Sequence, residues 1–217
     1  MKLGRIGIKV WDLRFDARDE LYLMIDKHYK KLPRNSDGTI KDEHPSYNDN
    51  DIDALRHSYV SAVYVLEFSE NTAEFLGRLQ EGLDPREEEI KSFNMDLWNN
   101  ALGRQYGKKH KRGEDLFFAL LKALKNGELI ITPQDSRKYK GAKAIKRLPK
   151  SLVIKIQENI TGANIEFFDV RNKIVMNKEE FITAIKVGNY PGYAIKKHVS
   201  GDYPYSTRDR FSFNNLG

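Results

Sequence analysis

The sequence predicts an α+β protein, in which a mainly α-helical N-terminal unit is followed by a small α+β unit. Two observations lead to this fold class. From about residue 16 to residue 126, apolar side chains recur at helical spacing. After residue 129, short segments of alternating character surround one further helix. We therefore expect two domains, a helical domain over residues 1–148 and a small α+β module over residues 149–217.

The helical part is predicted to hold amphipathic helices over residues 16–31, 52–68, 71–83, 93–106 and 114–126. Residues 2–10 alternate well enough to predict a short strand in front of them. The stretch from Pro33 to Asp51 is rich in turn-forming residues and is too long for an ordinary connection. We expect it to be a functional loop, a lid or a flexible linker.

The second part is predicted to hold a strand over residues 152–156, two strands within residues 165–175 and further short strands within residues 193–213. Asn177 is a good cap for a helix over residues 178–187. The C-terminal end of this second part is rich in aromatic residues: Tyr190, Tyr193, Tyr203, Tyr205, Phe211 and Phe213. They either fill a small β core or form a stacking surface for sugars or bases.

Composition excludes several classes of protein. The 217 residues contain no Cys, which rules out disulfide scaffolds, Cys-ligated zinc and Cys nucleophiles. Mean hydropathy is −0.64, and no apolar run is long enough for a membrane span or a cleavable signal. We expect a protein that is cytoplasmic when it is made, with export that needs no signal peptide left open.

The net charge of +6 is unevenly distributed. Residues 1–107 hold 15 basic and 20 acidic residues, whereas residues 108–217 hold 22 and 11. Basic residues concentrate at Lys108–Arg112 and over residues 137–155. An anionic partner, either nucleic acid or an acidic surface, is therefore expected on residues after 107, with an ordinary solvated face as the alternative. The acidic half favours a cation or a neutral substrate over a polyanion.

The residues that could carry chemistry lie in three consecutive predicted helices. Asp53, Arg56 and His57 follow i, i+3, i+4 spacing and so share one helix face. The next two helices add further polar residues: Glu81, Asp96, Asn99, Asn100 and Arg104. Asn is a poor residue for a helix interior, so two adjacent Asn residues within an apolar helix need an explanation.

Two interpretations of these residues are open. One is a buried polar network in which arginines clamp carboxylates and the Asn amides satisfy backbone groups. The other is a pocket between the helices. Its catalytic candidates are Asp53, His57, Glu81 and Asp96, and its substrate-binding candidates are Arg56, Asn99, Asn100 and Arg104. In that pocket His57 is the general base oriented by Asp53, and Glu81 is an acid with a raised pKa. One nitrogen with three carboxylates also suits a divalent metal, so a metal cofactor stays open without an assigned ligand set.

These motifs resemble those of an uncharacterised bacterial and phage domain family. That family carries D-A-F-R-H-A-Y-W, then an H-E pair, then M-D-L-H-N-N-x-x-G-R, and is often found at the C-terminal end of polymorphic-toxin or secreted proteins. The resemblance covers about residues 51–107. This chain has Gln80 where the family has the His of the H-E pair, and Trp98 where the family has the His of L-H-N-N. If those two His residues act in the family, this chain lacks them.

The C-terminal part is similar to a second short uncharacterised bacterial module, through M-x-K-E-E-x-I-x-x-I-x-x-G at residues 176–188 and a T-x-D…N-L ending. The resemblances imply a toxin or effector context, with an immunity or host protein as a further partner. The function expected is that of a hydrolase with a polar inter-helical pocket. The alternative is a non-enzymatic binding protein whose basic second half contacts nucleic acid or an acidic surface.

Overall fold

The computed structural model describes residues 5–68, 70–81, 86, 89–140, 151–158, 162–172, 174–199, 201–207 and 216. The chain divides into two compact units. One comprises Asp12–Lys146, and the other comprises Met1–Trp11 together with Arg147–Gly217. The α+β fold class with a helical N-terminal part is confirmed. The division into domains at residue 148 stays a prediction. No helix among the described residues is long and apolar enough to cross a membrane.

Five helices supply the described framework of the first part: α1 (Arg5–His28), α2 (Asp51–Glu67), α3 (Glu70–Gln80), α4 (Ile90–Gly107) and α5 (Glu114–Lys125). The helices predicted around residues 52–68, 71–83, 93–106 and 114–126 are therefore confirmed, with small shifts at their ends. Asn50 caps α2, because its side chain accepts hydrogen bonds from the backbone of Ile52 and Asp53. Buried apolar side chains of these helices form the core, Leu21, Leu55, Phe75, Met95 and Phe117 among them.

The strand predicted for residues 2–10 is wrong for residues 5–10, which form the first turns of α1. Short alternation is compatible with either structure, and the neighbouring chain decides between them. Ala17, Leu21 and Ile25 are fully buried at four-residue spacing farther along the same helix. Extending an existing helix avoids the cost of nucleation, so the preceding residues join it.

Helices α2 and α4 approach each other unusually closely at two glycines. A Cβ added to Gly103 would lie 2.0 Å from the carbonyl oxygen of Ser58. One added to Gly107 would lie 2.5 Å from the carbonyl oxygen of Ala62. From the first contact to the second, the chain advances by four residues on each helix, from Ser58 to Ala62 on α2 and from Gly103 to Gly107 on α4. The two helices therefore run parallel to each other. Only glycine, which lacks a Cβ, permits this contact.

The breaker-rich stretch between α1 and α2 is anchored at several points. Asp26 accepts hydrogen bonds from the backbone of Leu32 at 2.9 Å and from Arg34 at 2.7 Å. A 3₁₀ turn at Pro45–Tyr47 buries the Tyr47 ring, which packs 5.1 Å from the ring of Tyr22. This stretch is therefore an ordered loop in the structure rather than a flexible linker.

The second unit contains an antiparallel sheet in the order β1 (Val153–Glu158), β2 (Asn164–Asp169), β3 (Ile174–Asn177), followed by α6 (Lys178–Lys186) and the hairpin β4 (Tyr193–His198) and β5 (Gly201–Ser206). Asn177 and Glu180 form a capping box at the start of α6. The predicted strands and helix are confirmed here.

Two of the predicted tail aromatics, Tyr190 and Tyr193, pack in the core of this second unit with Phe167 and Phe181. Tyr205 lies on the exposed hairpin. Phe211 and Phe213 lie outside the described residues.

The contact between α2 and α4 predicts the effect of a single methyl group. We expect Gly103→Ala to lower the free energy of unfolding by about 1–3 kcal/mol or more, because the new Cβ overlaps the Ser58 carbonyl. Urea denaturation measures this change. The matched control is Gly77→Ala in α3, whose Cβ would meet the Asn100 amide at 3.3 Å and should cost much less. Equal stability of Gly103→Ala and the wild type would contradict the close packing.

Candidate active site

A single imidazole, that of His57, lies among three carboxylates. Its Nδ1 atom is 3.1 Å from Oε1 of Glu81, while its Nε2 atom is 3.2 Å from Oδ1 of Asp53 and 3.4 Å from Oδ1 of Asp96. Arg56 adds a second cation through its ion pair with Asp53. The four predicted catalytic residues thus come together around one ring. We call Asp53, His57, Glu81 and Asp96 the carboxylate–imidazole cluster.

Three elements bring this cluster together. Asp53 and His57 are one turn apart on α2, as the i, i+4 spacing predicts. Glu81 directly follows the last residue of α3, and Asp96 lies in the second turn of α4. The backbone N–H of Asp49 donates to the second carboxylate oxygen of Asp53 at 2.7 Å, which ties the preceding loop to the cluster.

The charges around His57 decide its protonation. Burial by itself lowers the pKa of His57, but the Glu81 and Asp96 carboxylates outweigh it and hold that pKa well above 6.5. His57 is therefore a cation at neutral pH. Its ionisation stabilises the fold fully below the unfolded pKa near 6.5, and this contribution is lost as pH rises through the raised folded value. The general-base role expected for His57 needs the neutral ring, which the neighbouring carboxylates disfavour.

Asp96 differs from its two acidic neighbours. Burial raises the pKa of Asp96 to about 7, with Glu81 and Asp53 adding to the shift and His57 opposing it. Its Oδ1 atom is buried, and no donor among the described residues reaches it with hydrogen-bond geometry. The side chain as a whole keeps 14% of its surface exposed. Asp96 is thus the carboxyl of the cluster that gains and loses a proton near neutral pH.

Glu81 and Asp53 remain carboxylates. Burial raises the pKa of each carboxyl, but contact with His57 lowers it by a larger amount. Both pKa values therefore lie below their ordinary range. The raised pKa expected for Glu81 is therefore wrong, and the carboxyl of the cluster with a raised pKa is that of Asp96. The physical reason is that Glu81 has His57 Nδ1 to itself, whereas Asp53 and Asp96 face the same Nε2 atom.

The two adjacent asparagines have separate roles. Asn100 accepts a hydrogen bond from Ser61 at 2.9 Å and donates one to Glu81 at 3.4 Å, so it supports the cluster. Asn99 points elsewhere, since its amide donates to the carbonyl of Ile130 at 2.8 Å and accepts from the same residue's N–H at 2.9 Å. Consecutive helical residues project about 100° apart, so both could not reach one site.

Arg104 also lies apart from the cluster. Its guanidinium is buried, 3.5 Å from the Tyr139 hydroxyl and 3.9 Å from the Glu74 carboxylate. The structure thus places Arg56 and Asn100 with the cluster, and Asn99 and Arg104 outside it.

Of the two positions that differ from the resembling family, one borders the site. Trp98 donates its indole N–H to the carbonyl of Glu128 and stacks under the guanidinium of Arg137, away from His57. Gln80 donates to the Tyr64 hydroxyl and lines a pocket next to His57. The absence of a His at position 98 therefore removes nothing from this cluster.

This pocket, of about 640 Å³, opens beside His57 and Arg56. Residues from α1 and from the anchored loop form much of its wall, Arg14, Phe15, Arg18, Asp42, Glu43 and His44 among them. His57 itself is 12% exposed at this surface. Sequence reasoning missed the α1 residues, although Arg14, Phe15 and Arg18 follow i, i+1, i+4 spacing and share one side of the helix.

The cluster also bears on the open question of a metal. Asp53, His57 and Asp96 each offer a ligand atom, and these atoms lie within 4.8 Å of one another. A divalent cation there would displace the proton from His57, because only neutral imidazole has a lone pair to give. These three residues are the ones that would hold a metal.

The raised His57 pKa leads to a direct test. In a ¹H–¹⁵N titration of the imidazoles, we expect His57 to stay protonated well above pH 6.5, and Glu81→Gln to lower its midpoint by removing the nearest carboxylate. The control is Glu74→Gln, which changes a carboxylate that no described contact joins to His57. A His57 midpoint near 6.5 in the wild type would contradict the charge arrangement.

Neither the curated proteins nor the solved structures gave a match to the chain. A family model described as "Domain of unknown function (DUF6973)" matches residues 21–128, and that range contains the whole carboxylate–imidazole cluster.

Proposed function

We propose that the helical unit is a hydrolase in which Asp96 and His57 exchange protons with a substrate bound in the adjacent pocket. The observation that supports this most strongly is the pair itself: a carboxyl with a pKa of about 7 lies 3.4 Å from a cationic imidazole. General acid–base catalysis works best with groups whose pKa lies near the working pH. A purely structural ion pair gains nothing from a half-ionised carboxyl.

In the proposed reaction a water molecule attacks the substrate. The ionised Asp96 takes a proton from that water as the new bond forms, and the His57 cation gives a proton to the departing oxygen as the old bond breaks. Asp96 then returns its proton across the 3.4 Å gap to His57, so both groups regain their starting states. Asp53 and Glu81 hold the imidazole in place, and Arg56 faces the substrate as a fixed positive charge.

The toxin or effector context is part of the proposal and rests on the motif resemblance over residues 51–107. The alternative of a binding protein gains less support from the described contacts. In the basic loop, Lys108 pairs with Glu70, and Arg112 pairs with Glu20 at 2.7 Å. Most of the second basic segment, residues 141–150, lies outside the described residues. An anionic partner on residues after 107 stays a prediction, as does an immunity or host protein.

The Asp96→Asn variant tests the hydrolase. We expect it to lose about 10²- to 10⁴-fold in rate on esters that the wild type cleaves, since it removes a general acid–base group. The assay uses chromogenic acetate, phosphate monoester and phosphodiester substrates of p-nitrophenol. Asp16→Asn, an equally conservative change at an exposed position of α1, is the matched control.

The same variant should not lose stability. The folded protein binds the Asp96 proton more tightly than the unfolded chain, so ionisation of Asp96 opposes folding as pH rises from about 4 to above 7. At pH 8 the amide removes this cost, and we expect an unfolding free energy equal to the wild type or about 0.5–2 kcal/mol higher.

Full activity of Asp96→Asn, or a wild type inactive on all of these esters, would contradict the proposal.

A further inference from the structure

The pocket beside the cluster combines positive charge with an exposed aromatic ring. Arg14 and Arg18 flank Phe15 on α1, with their guanidinium carbons 6.0 Å and 5.1 Å from its ring centroid. Phe15 is 45% exposed although it lines the pocket. A half-exposed phenyl ring with two arginines beside it offers apolar surface next to anion-binding groups.

The three arginines of the pocket wall differ in how many carboxylates they contact. Arg18 pairs with Asp19 at 2.8 Å and lies 3.6 Å from Asp42. Arg56 is held by Asp53. For Arg14, by contrast, no carboxylate lies within 4 Å among the residues that the structure describes. Its guanidinium is therefore the group of the wall best placed to accept an incoming anion in bidentate fashion.

The acidic residues of the same wall narrow the choice of ligand. Asp42 and Glu43 also line the pocket, and carboxylates there repel a bare anion but accept hydrogen bonds from hydroxyl and amino groups. A ligand that suits the whole wall carries a negative group, several hydrogen-bond donors and a flat ring. The volume of about 640 Å³ lies in the range that small-molecule ligands occupy.

We propose that the substrate of this pocket is a nucleotide, with its phosphate at Arg14 and Arg56, its base on Phe15, and its sugar hydroxyls or base amino groups toward Asp42 and Glu43. The inference rests on the proposed function, because it names the substrate class of the same site. The net charge of residues 1–107 is a poor guide to this ligand, since the pocket wall is locally rich in arginine.

Binding isotherms separate the parts of this proposal. The probes are AMP, ribose 5-phosphate, which lacks the base, and adenosine, which lacks the phosphate. We expect AMP to bind most tightly. Phe15→Ala should weaken AMP by about 5- to 100-fold and leave ribose 5-phosphate unchanged, because only the base stacks. Arg14→Gln should weaken AMP and ribose 5-phosphate by about tenfold or more and leave adenosine unchanged.

Matched controls exist for both changes. Phe118→Ala removes a phenyl ring of equal exposure, 46%, from α5, outside the pocket. Arg86→Gln makes the same change at an exposed arginine that pairs with Glu89. Neither should alter AMP binding. Thermal unfolding of each variant establishes that the protein is folded, and Phe15→Trp, which restores a stacking surface, should recover AMP binding if Phe15→Ala weakens it.

The outcomes distinguish this inference from the hydrolase. Equal affinity for ribose 5-phosphate and AMP, equal affinity for adenosine and AMP, or no binding of any probe would overturn the nucleotide assignment. Ester cleavage that depends on Asp96 in a protein that binds no nucleotide would overturn only this inference. Nucleotide binding with the expected variant effects, in a protein that cleaves none of the esters, would overturn the hydrolase and support the pocket assignment.

Discussion

The backbone contact between α2 and α4 at Ser58 and Gly103 holds the candidate site together. His57 directly precedes Ser58, and Asp96 lies two turns before Gly103 on the parallel helix. With the backbones this close, a short Asp side chain on one helix reaches the imidazole on the other at 3.4 Å. We expect any side chain larger than hydrogen at position 103 to push the helices apart and lengthen that distance, because its Cβ would overlap the Ser58 carbonyl. The geometry of the cluster thus depends on Gly103, a residue outside it.

The second constraint is charge balance in a confined volume. Three carboxylates within reach of one imidazole cannot all ionise at equal cost, because each buried negative charge raises the pKa of the others. Glu81 and Asp53 keep their charges through His57 and, for Asp53, through Arg56 as well. Asp96 is the third carboxyl, and it keeps its proton until the pH approaches neutrality. Ionisation of Asp96 therefore opposes folding, whereas protonation of His57 stabilises the fold.

Sequence patterns identify the parts of the site that local geometry dictates. The i, i+3, i+4 spacing is enough to place Asp53, Arg56 and His57 on one face of α2. The spacing does not show that Asn99 and Asn100 have different partners. That difference depends on the position of Ile130, whose backbone N–H and carbonyl both bond to the Asn99 amide. Nor can the spacing order the pKa values, since these depend on which carboxylate shares the His57 nitrogen with another.

The sequence pattern does not reveal that α1 forms part of the pocket wall. Arg14, Phe15 and Arg18 show a recognisable helical spacing, but nothing local indicates that α1 borders the same cavity as His57. The strand prediction is wrong for residues 5–10 for a related reason, because this short alternating segment takes the conformation of the longer helix that it joins. Tertiary contacts decide both points, whereas periodicity alone predicts the helices themselves.

The most direct test of the charge arrangement is the titration of the Asp96 carboxyl carbon, observed by ¹³C NMR in protein labelled at aspartate. We predict a midpoint near pH 7 for Asp96 in the wild type, and a lower midpoint in Glu81→Gln, where one of the neighbouring negative charges is gone. A midpoint near the ordinary value of 3.8 would show that Asp96 is a plain carboxylate at neutral pH. It would contradict both the charge arrangement and the proton exchange proposed from it.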